Sequence, residues 1–317
     1  MLLGLLALMA LLTLLLSLAV GSASLSFGQL WGVMQGEGDP LARTMVMELR
    51  LPRAFSAFAV GGLLAVAGAL MQVLLRNPLA DPYVLGLSGG ASMGALAAML
   101  LGFGGVLMSG SAFAGALFST FLVFGLAHGR GGWTPSRLLL TGVVVASGWG
   151  AVITLLLSLS PAAQLPGMLY WLMGDLSYAR TPWPPLVLLL AICMVLMPLG
   201  RSLNVLARGP QQAAALGVAV RPLEWGIYMV ASVLTAAAVT TAGSIGFVGL
   251  VVPHMLRLWL GNDQRVILPA CALAGGALLV LADTLARSLI APEQLPVGVI
   301  TALLGVPTFL LLLYRSR

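Results

Sequence analysis

Long apolar runs separated by short polar breaks fill the whole chain. A helix that crosses a bilayer needs about 20 mostly apolar residues. By that measure the pattern predicts ten segments: roughly 2–20, 54–75, 84–102, 106–127, 137–159, 183–203, 223–243, 246–260, 266–290 and 296–314. The eighth is short for a span. The expected fold class is therefore all-α, a polytopic membrane protein with about ten transmembrane helices, forming one transmembrane domain over residues 1–317. The first run, Leu2 to Val20, precedes Gly21-Ser22-Ala23-Ser24, which has the look of a cleavage site. It lacks a basic leader and is long for a signal sequence, so it is read as a retained first helix. Three connections are long enough to matter: 21–52, 161–182 and 204–222. Within the second, Met168 to Met173 is apolar and predicts a short helix near the interface.

Composition sharpens this picture. The chain is 60% hydrophobic and only 8% charged, against about 25% charged residues in soluble domains. So few charges could not cover a water-facing surface of this size, and lipid must be the solvent for most of it. The 39 glycines suit close helix packing, because lipid supplies no hydrophobic drive between helices. All 15 basic residues are arginine. Without lysine there is no standard P-loop, which uses Lys on the terminal phosphates, and no Schiff-base chemistry. No soluble domain is visible, so an energy source or ligand-capturing module would be a separate chain.

The arginines also predict sidedness. With a cytoplasmic N-terminus and ten spans, Arg76, Arg130, Arg137, Arg201, Arg208, Arg221, Arg257, Arg265, Arg315 and Arg317 fall inside. Arg43, Arg50, Arg53, Arg180 and Arg287 fall outside, the bias that the positive-inside rule expects. Both termini are then cytoplasmic. Acids lean outward: Glu37, Asp39, Glu48, Asp175, Asp283 and Glu293 outside, Asp81, Glu224 and Asp263 inside. Cys193 and Cys271 sit in apolar runs and read as small core residues. His128 and His254 lie far apart, so no metal site is expected, a structural site usually needing about four ligands. No catalytic residue is expected.

Arg50-Leu51-Pro52-Arg53 is followed by a helix that runs to Arg76-Asn77-Pro78-Leu79-Ala80-Asp81-Pro82, where two prolines forbid a continuous helix. Gly86, Gly90 and Gly94 follow at a spacing of four and offer one small packing face. This reads equally as a tight helical hairpin or as a turn at the mouth of a pathway. Asp81 to Gly86 is loosely echoed by Gln294 to Val299 on the opposite side, as an inverted repeat would require. Met71, Met93, Met168 and Met173 read as ordinary packing or as a soft lining for a large planar ligand.

Four blocks carry a resemblance. They are Leu51-Pro52-Arg53 with Gly68 to Gln72 and Arg76 to Pro82; Ser136 to Gly142; Gly243 to Arg257; and Leu295 to Ala302, with Tyr170-Trp171-Leu172-Met173-Gly174 in agreement. In order and spacing these resemble the iron-chelate and cobalamin permease family, the membrane subunit of type II ABC importers, and most closely its vitamin B12 branch. The resemblance covers nearly the whole chain. It implies the type II ABC importer permease fold and a homodimer in the bacterial inner membrane. It also implies two ATP-binding-cassette ATPase subunits on the cytoplasmic side and a periplasmic substrate-binding protein. The chain itself would be no enzyme and would hold no cofactor, ATP and Mg being used by the partner ATPase.

The resemblance also implies residue roles. Arg50, Arg53 and Arg287 would face glutamates of the binding protein, arginine's planar fork being suited to carboxylates. The rival readings are snorkelling, and for Arg287 an i,i+4 pair with Asp283. The segment Leu206, Arg208, Gly209, Pro210, Gln211, Ala214, Leu216 and Gly217 would dock on the ATPase. Gly209-Pro210 can start a short helix there and Gly217 can end it. Asn77, Leu79 and Ser136 would narrow the cytoplasmic exit. Asn77 has the rival role of capping its turn, and Pro135 departs from the family's threonine beside Ser136. The cargo would be a bulky metal chelate: cobalamin first, haem or a ferric siderophore otherwise. A stand-alone secondary carrier would keep an ionisable cluster at the midplane, and none is visible. An intramembrane enzyme would need a nucleophile–base pair or metal motif at membrane depth, and neither is found.

Overall fold

The computed structural model describes residues 2–21, 26–36, 39–128, 134–177, 179 and 181–315. Arg130, Arg180, Glu37, Arg317 and residues 22–24 of the cleavage-like stretch lie outside the described residues. In chain order the helices are α1 (Leu2–Ala19), α2 (Phe27–Gln35), α3 (Pro40–Thr44), α4 (Leu51–Leu75), α5 (Leu87–Leu100), α6 (Gly105–Ala127), α7 (Pro135–Leu159), α8 (Leu165–Met173), α9 (Trp183–Ala207), α10 (Pro210–Ala215), α11 (Val220–Ala242), α12 (Val248–Leu260), α13 (Gln264–Ser288) and α14 (Val297–Arg315). A helix stands at each of the ten expected positions. Among the described residues seven helices are long and apolar enough to span, and those over 87–100, 248–260 and 297–312 are apolar but shorter. At 1.5 Å per residue, the 13 residues of α12 reach about 20 Å, short of the roughly 30 Å hydrocarbon core.

Two boundaries differ from expectation. The 21–52 connection is largely helical: Pro40 opens a helix that runs through α3, a π segment at Met45–Arg50 and α4 to Leu75. Pro52 does not stop it because the preceding register is widened, with the Leu51 N–H bonded to Val46 O. A single π turn is a known way to relieve such a local mismatch. Helix α9 runs to Ala207, four residues beyond the expected end.

Helix α4 is the axis of the fold. Twenty of its 25 residues are buried, packed on α13, α11, α12 and α9. Small residues make this possible. A Cβ on Gly61 would strike Gly275 O, and one on Gly68 would strike Gly249 O. The Gly86, Gly90 and Gly94 stripe behaves as its spacing predicts: Gly90 sits against Gly115 O and Gly94 against Ser111 O, so α5 and α6 meet backbone to backbone. By contrast α7 is mostly exposed; in its most apolar 18-residue stretch only 11% of positions are buried, against 94% for the helix containing α4. Met71 and Met168 are fully buried, as is Cys271. These methionines are packing residues in this structure. Cys193 and Cys271 are unpaired.

Candidate functional site

One end of the bundle gathers Arg50, Arg53 and Arg287 around a single pocket of about 240 Å³, with Glu48, Ser177 and Gln294 on its walls. The three come from far apart in sequence but share a buried anchor. Arg53 grips Asp283 through Nε (3.0 Å to Oδ1) and Nη2 (2.8 Å to Oδ1), and its Nη1 donates to Gln294 Oε1 at 2.8 Å. Arg287, one turn along α13, donates from Nε to Asp283 Oδ2 at 3.1 Å and from Nη2 to Ser17 O at 3.3 Å. Arg50 donates from Nη1 to Leu18 O (2.7 Å) and Ala19 O (3.1 Å). Asp283 is only 1% exposed and the Arg53 side chain 12%. The i,i+4 reading of Arg287 is therefore present in the structure, and the arginines tie the end of α1 to α4 and α13 as well as lining the pocket. Gly21 lets the chain pass over them: a Cβ there would lie 3.0 Å from Arg50 Nη2.

The loop between α9 and α11 folds as its glycines and proline predict. Pro210 is at the first helical position of α10, where its missing N–H costs nothing. The helix ends in a Schellman motif: Val218 N–H bonds Ala213 O at 2.9 Å and Gly217 N–H bonds Ala214 O at 3.0 Å. Gly217 takes the required positive φ of 80°. Gln211, Ala214 and Leu216 are exposed, Leu216 at 71%. Leu206 differs: it is 2% exposed because the longer α9 turns it inward. It roots the loop in the core and offers no surface to a partner. Its signal was present in sequence, since Leu196, Gly200, Leu203 and Leu206 continue one helical face.

Between α4 and α5, Asn77 Oδ1 accepts the Leu79 N–H at 2.9 Å, so the turn-capping role is realised. Leu79 is exposed. Asp81 Oδ1 accepts the Tyr83 N–H at 2.8 Å and caps a 3-10 turn at Pro82–Leu85. Burial pushes the Asp81 carboxyl up to about 6, the Tyr83 N–H opposing this in part. Tyr83 in turn accepts the Ile245 N–H on its hydroxyl at 3.2 Å. Ser136 is exposed in the first turn of α7, behind the Thr134 cap. Pro135 occupies the first helical position, where proline is well tolerated.

A second pocket of about 630 Å³ is almost wholly apolar. Leu172, Met173, Phe247, Val299 and Leu303 line it, at the junction of α8, α12 and α14. The junction is tied by backbone bonds at Gly174, whose O accepts the Val297 N–H at 3.0 Å, and by Asp175 N–H to Ala242 O at 2.8 Å. Sequence reasoning placed only Met173 here, and Phe247 was missed. Phe247 has φ of 69°, a conformation rare for a bulky residue, and sequence gives no warning of it. No group of acidic, His or Cys side chains able to hold a metal is found among the described residues.

The matches to known proteins agree with this architecture. Residues 8–315 match the FecCD transport family. The chain belongs to that family. It is 42% identical over 313 residues to the vitamin B12 import system permease protein BtuC of Serratia proteamaculans, covering 96% of this chain and 92% of that one. It is 41% identical over 322 residues to the hemin transport system permease protein HmuU of Yersinia pestis, covering 97% and 95%. A solved chain described as an inward-facing conformation of an ABC transporter of proposed metal-chelate type shares 32% identity, with a TM-score of 0.89 and 99% of both chains covered. The FecCD protein described here is thus a multi-pass transmembrane permease of an ABC transporter, a transport subunit.

Proposed function

We propose that this chain is the membrane half of a metal-chelate importer, working as a homodimer in the bacterial inner membrane with two ATP-binding-cassette subunits and a periplasmic binding protein. The observation that carries the reading is α10. A preformed six-residue helix, stopped at both ends and exposing Leu216, is built to be gripped by a partner. The chain has no lysine for a P-loop, so that partner supplies ATP and Mg chemistry. Movement of α10 passes directly to α9 and α11, which it joins.

At the opposite end, glutamates of the binding protein would enter the pocket of Arg50, Arg53 and Arg287. Arg53 and Arg287 share one buried carboxylate, Asp283, and the exposed Glu48 lines the same pocket. Asn77, Leu79 and Ser136 would narrow the exit at the α10 end, and both termini would lie on that cytoplasmic side. The apolar pocket at α8 and α14 supports a passage that binds cargo weakly, releasing it by mass action while ATP hydrolysis sets direction. Cobalamin is the favoured cargo. Haem is the second reading, supported by the equally extensive match to the hemin permease.

The cargo is tested by measuring the cognate binding protein's affinity for cobalamin, haem and ferric siderophores. Tightest binding of cobalamin supports the first reading, and tightest binding of haem or a siderophore replaces it.

A further inference from the structure

The α10 end holds a third pocket, of about 630 Å³, between α4, α9, α12 and α13. Its walls carry Arg76, Arg208 and Arg257. Its single carboxylate among the described residues, Asp263, is already engaged: Arg265 Nη2 donates to it at 2.7 Å and Asn204 Nδ2 at 2.8 Å. Arg257 is half-buried and donates to the Gln72 side chain and to Ala69 O at 3.3 Å. Among the described residues it has no carboxylate within 4.0 Å. Glu224, outside the lining, is within electrostatic reach of Arg76 and Arg221. The lining is therefore a cluster of positive charge with too few anions of its own.

Gln264 lines the same pocket but is 2% exposed, with its Oε1 sealed from the cavity, so the guanidinium groups set the chemistry of a ligand. They call for a compact anion with several oxygens. Guanidinium forks match phosphate oxygens, and basic pockets between helices at a membrane's cytoplasmic face are suited to anionic headgroups.

We propose that this pocket binds a phosphate oxyanion, supplied by a phospholipid headgroup or by free phosphate. It lies where α9 ends and the loop to α10 begins, so occupancy would brace the segment that carries α10.

The test is thermal unfolding of the full-length chain in an uncharged detergent. It is titrated with inorganic phosphate, with short-chain phosphatidylglycerol and with short-chain phosphatidylcholine. The wild type is compared with the Arg76→Gln, Arg208→Gln double variant, both positions being exposed. A rise in Tm that grows with the logarithm of ligand concentration above its onset, and whose onset needs about a hundredfold more ligand in the double variant, is expected, about tenfold per charge-assisted contact. Response to phosphatidylglycerol at lower concentration than phosphate assigns a lipid headgroup, and the reverse order assigns free phosphate. An equal rise in wild type and variant is the general stabilisation that excluded salts give and overturns the proposal. Equal response to phosphatidylcholine, or no response to any probe, overturns it as well.

Discussion

The two ends of this molecule each collect three arginines around a pocket, and they handle the charge in opposite ways. At the Arg53 end, one carboxylate that is 1% exposed serves two guanidinium groups, and carbonyl oxygens from α1 serve two. At the Arg76 end, the only lining carboxylate among the described residues is bonded by Arg265, which lies outside the lining, and Arg257 leans on an amide and a carbonyl. The same residue type is a structural clasp in one place and an open receptor in the other. What separates them is the position of one acid. Asp283 sits inside its cluster. Asp263 caps a helix at the edge of its own, and its carboxyl is held well below the usual carboxylate range by Arg265 and then Asn204.

The largest effect should come from removing the inner acid. Asp283→Ala leaves Arg53 and Arg287 buried without their counter-charge, and breaking a buried pair this way costs about 3–5 kcal/mol. Thermal or denaturant unfolding in detergent reads it; a loss under about 1 kcal/mol would remove the clasp from the account. Arg257→Gln should cost less, about 1.5–3 kcal/mol, the range for hydrogen bonds from a charged donor, because no buried opposite charge is left unpaired. Equal losses at the two sites would erase the contrast.

An effect that depends on pH is expected from Asp81. Its folded pKa, raised to about 6, lies above that of an unfolded aspartate, so the folded state holds the extra proton. Its contribution is full below about pH 4 and is lost as pH rises through about 6. Asp81→Asn keeps the oxygen that caps Tyr83 and should flatten stability between those pH values; an unchanged slope would remove Asp81 from the pH response. Leu216→Ser, at an exposed position, should change stability by less than about 0.5 kcal/mol. It should nevertheless lower ATPase activity in the assembled complex. Unchanged activity would detach α10 from the coupling role.

Much of the fold was legible in sequence because lipid makes it so. Helices such as α1 and α7 face outward along most of their length, so their apolar runs mark them without ambiguity. The short α12 was expected from its apolar run although it is buried against α4, and α10 was legible from Gly209, Pro210 and Gly217. The arginine clasp was only partly visible. Its i,i+4 half, Arg287 with Asp283, can be read from helical spacing. Its other half joins Arg53 to a carboxylate 230 positions away, and no local pattern carries that. The helix through Pro40–Leu75 was cut short in reading because Pro52 resembles a start, and a π register is a backbone adjustment with no residue signature. The inward turn of Leu206 was recoverable, since the apolar face of α9 extends to it.

The central claim is that this permease moves its cargo only under the power of a separate ATPase. The direct measurement is uptake of radiolabelled cobalamin, with haem and ferric siderophore alongside, into proteoliposomes holding the chain with its ATPase subunits and binding protein. Uptake that requires ATP and all three components, and that fails with the chain alone under a cargo gradient, is the predicted result. Carriage by the chain alone without ATP would contradict it.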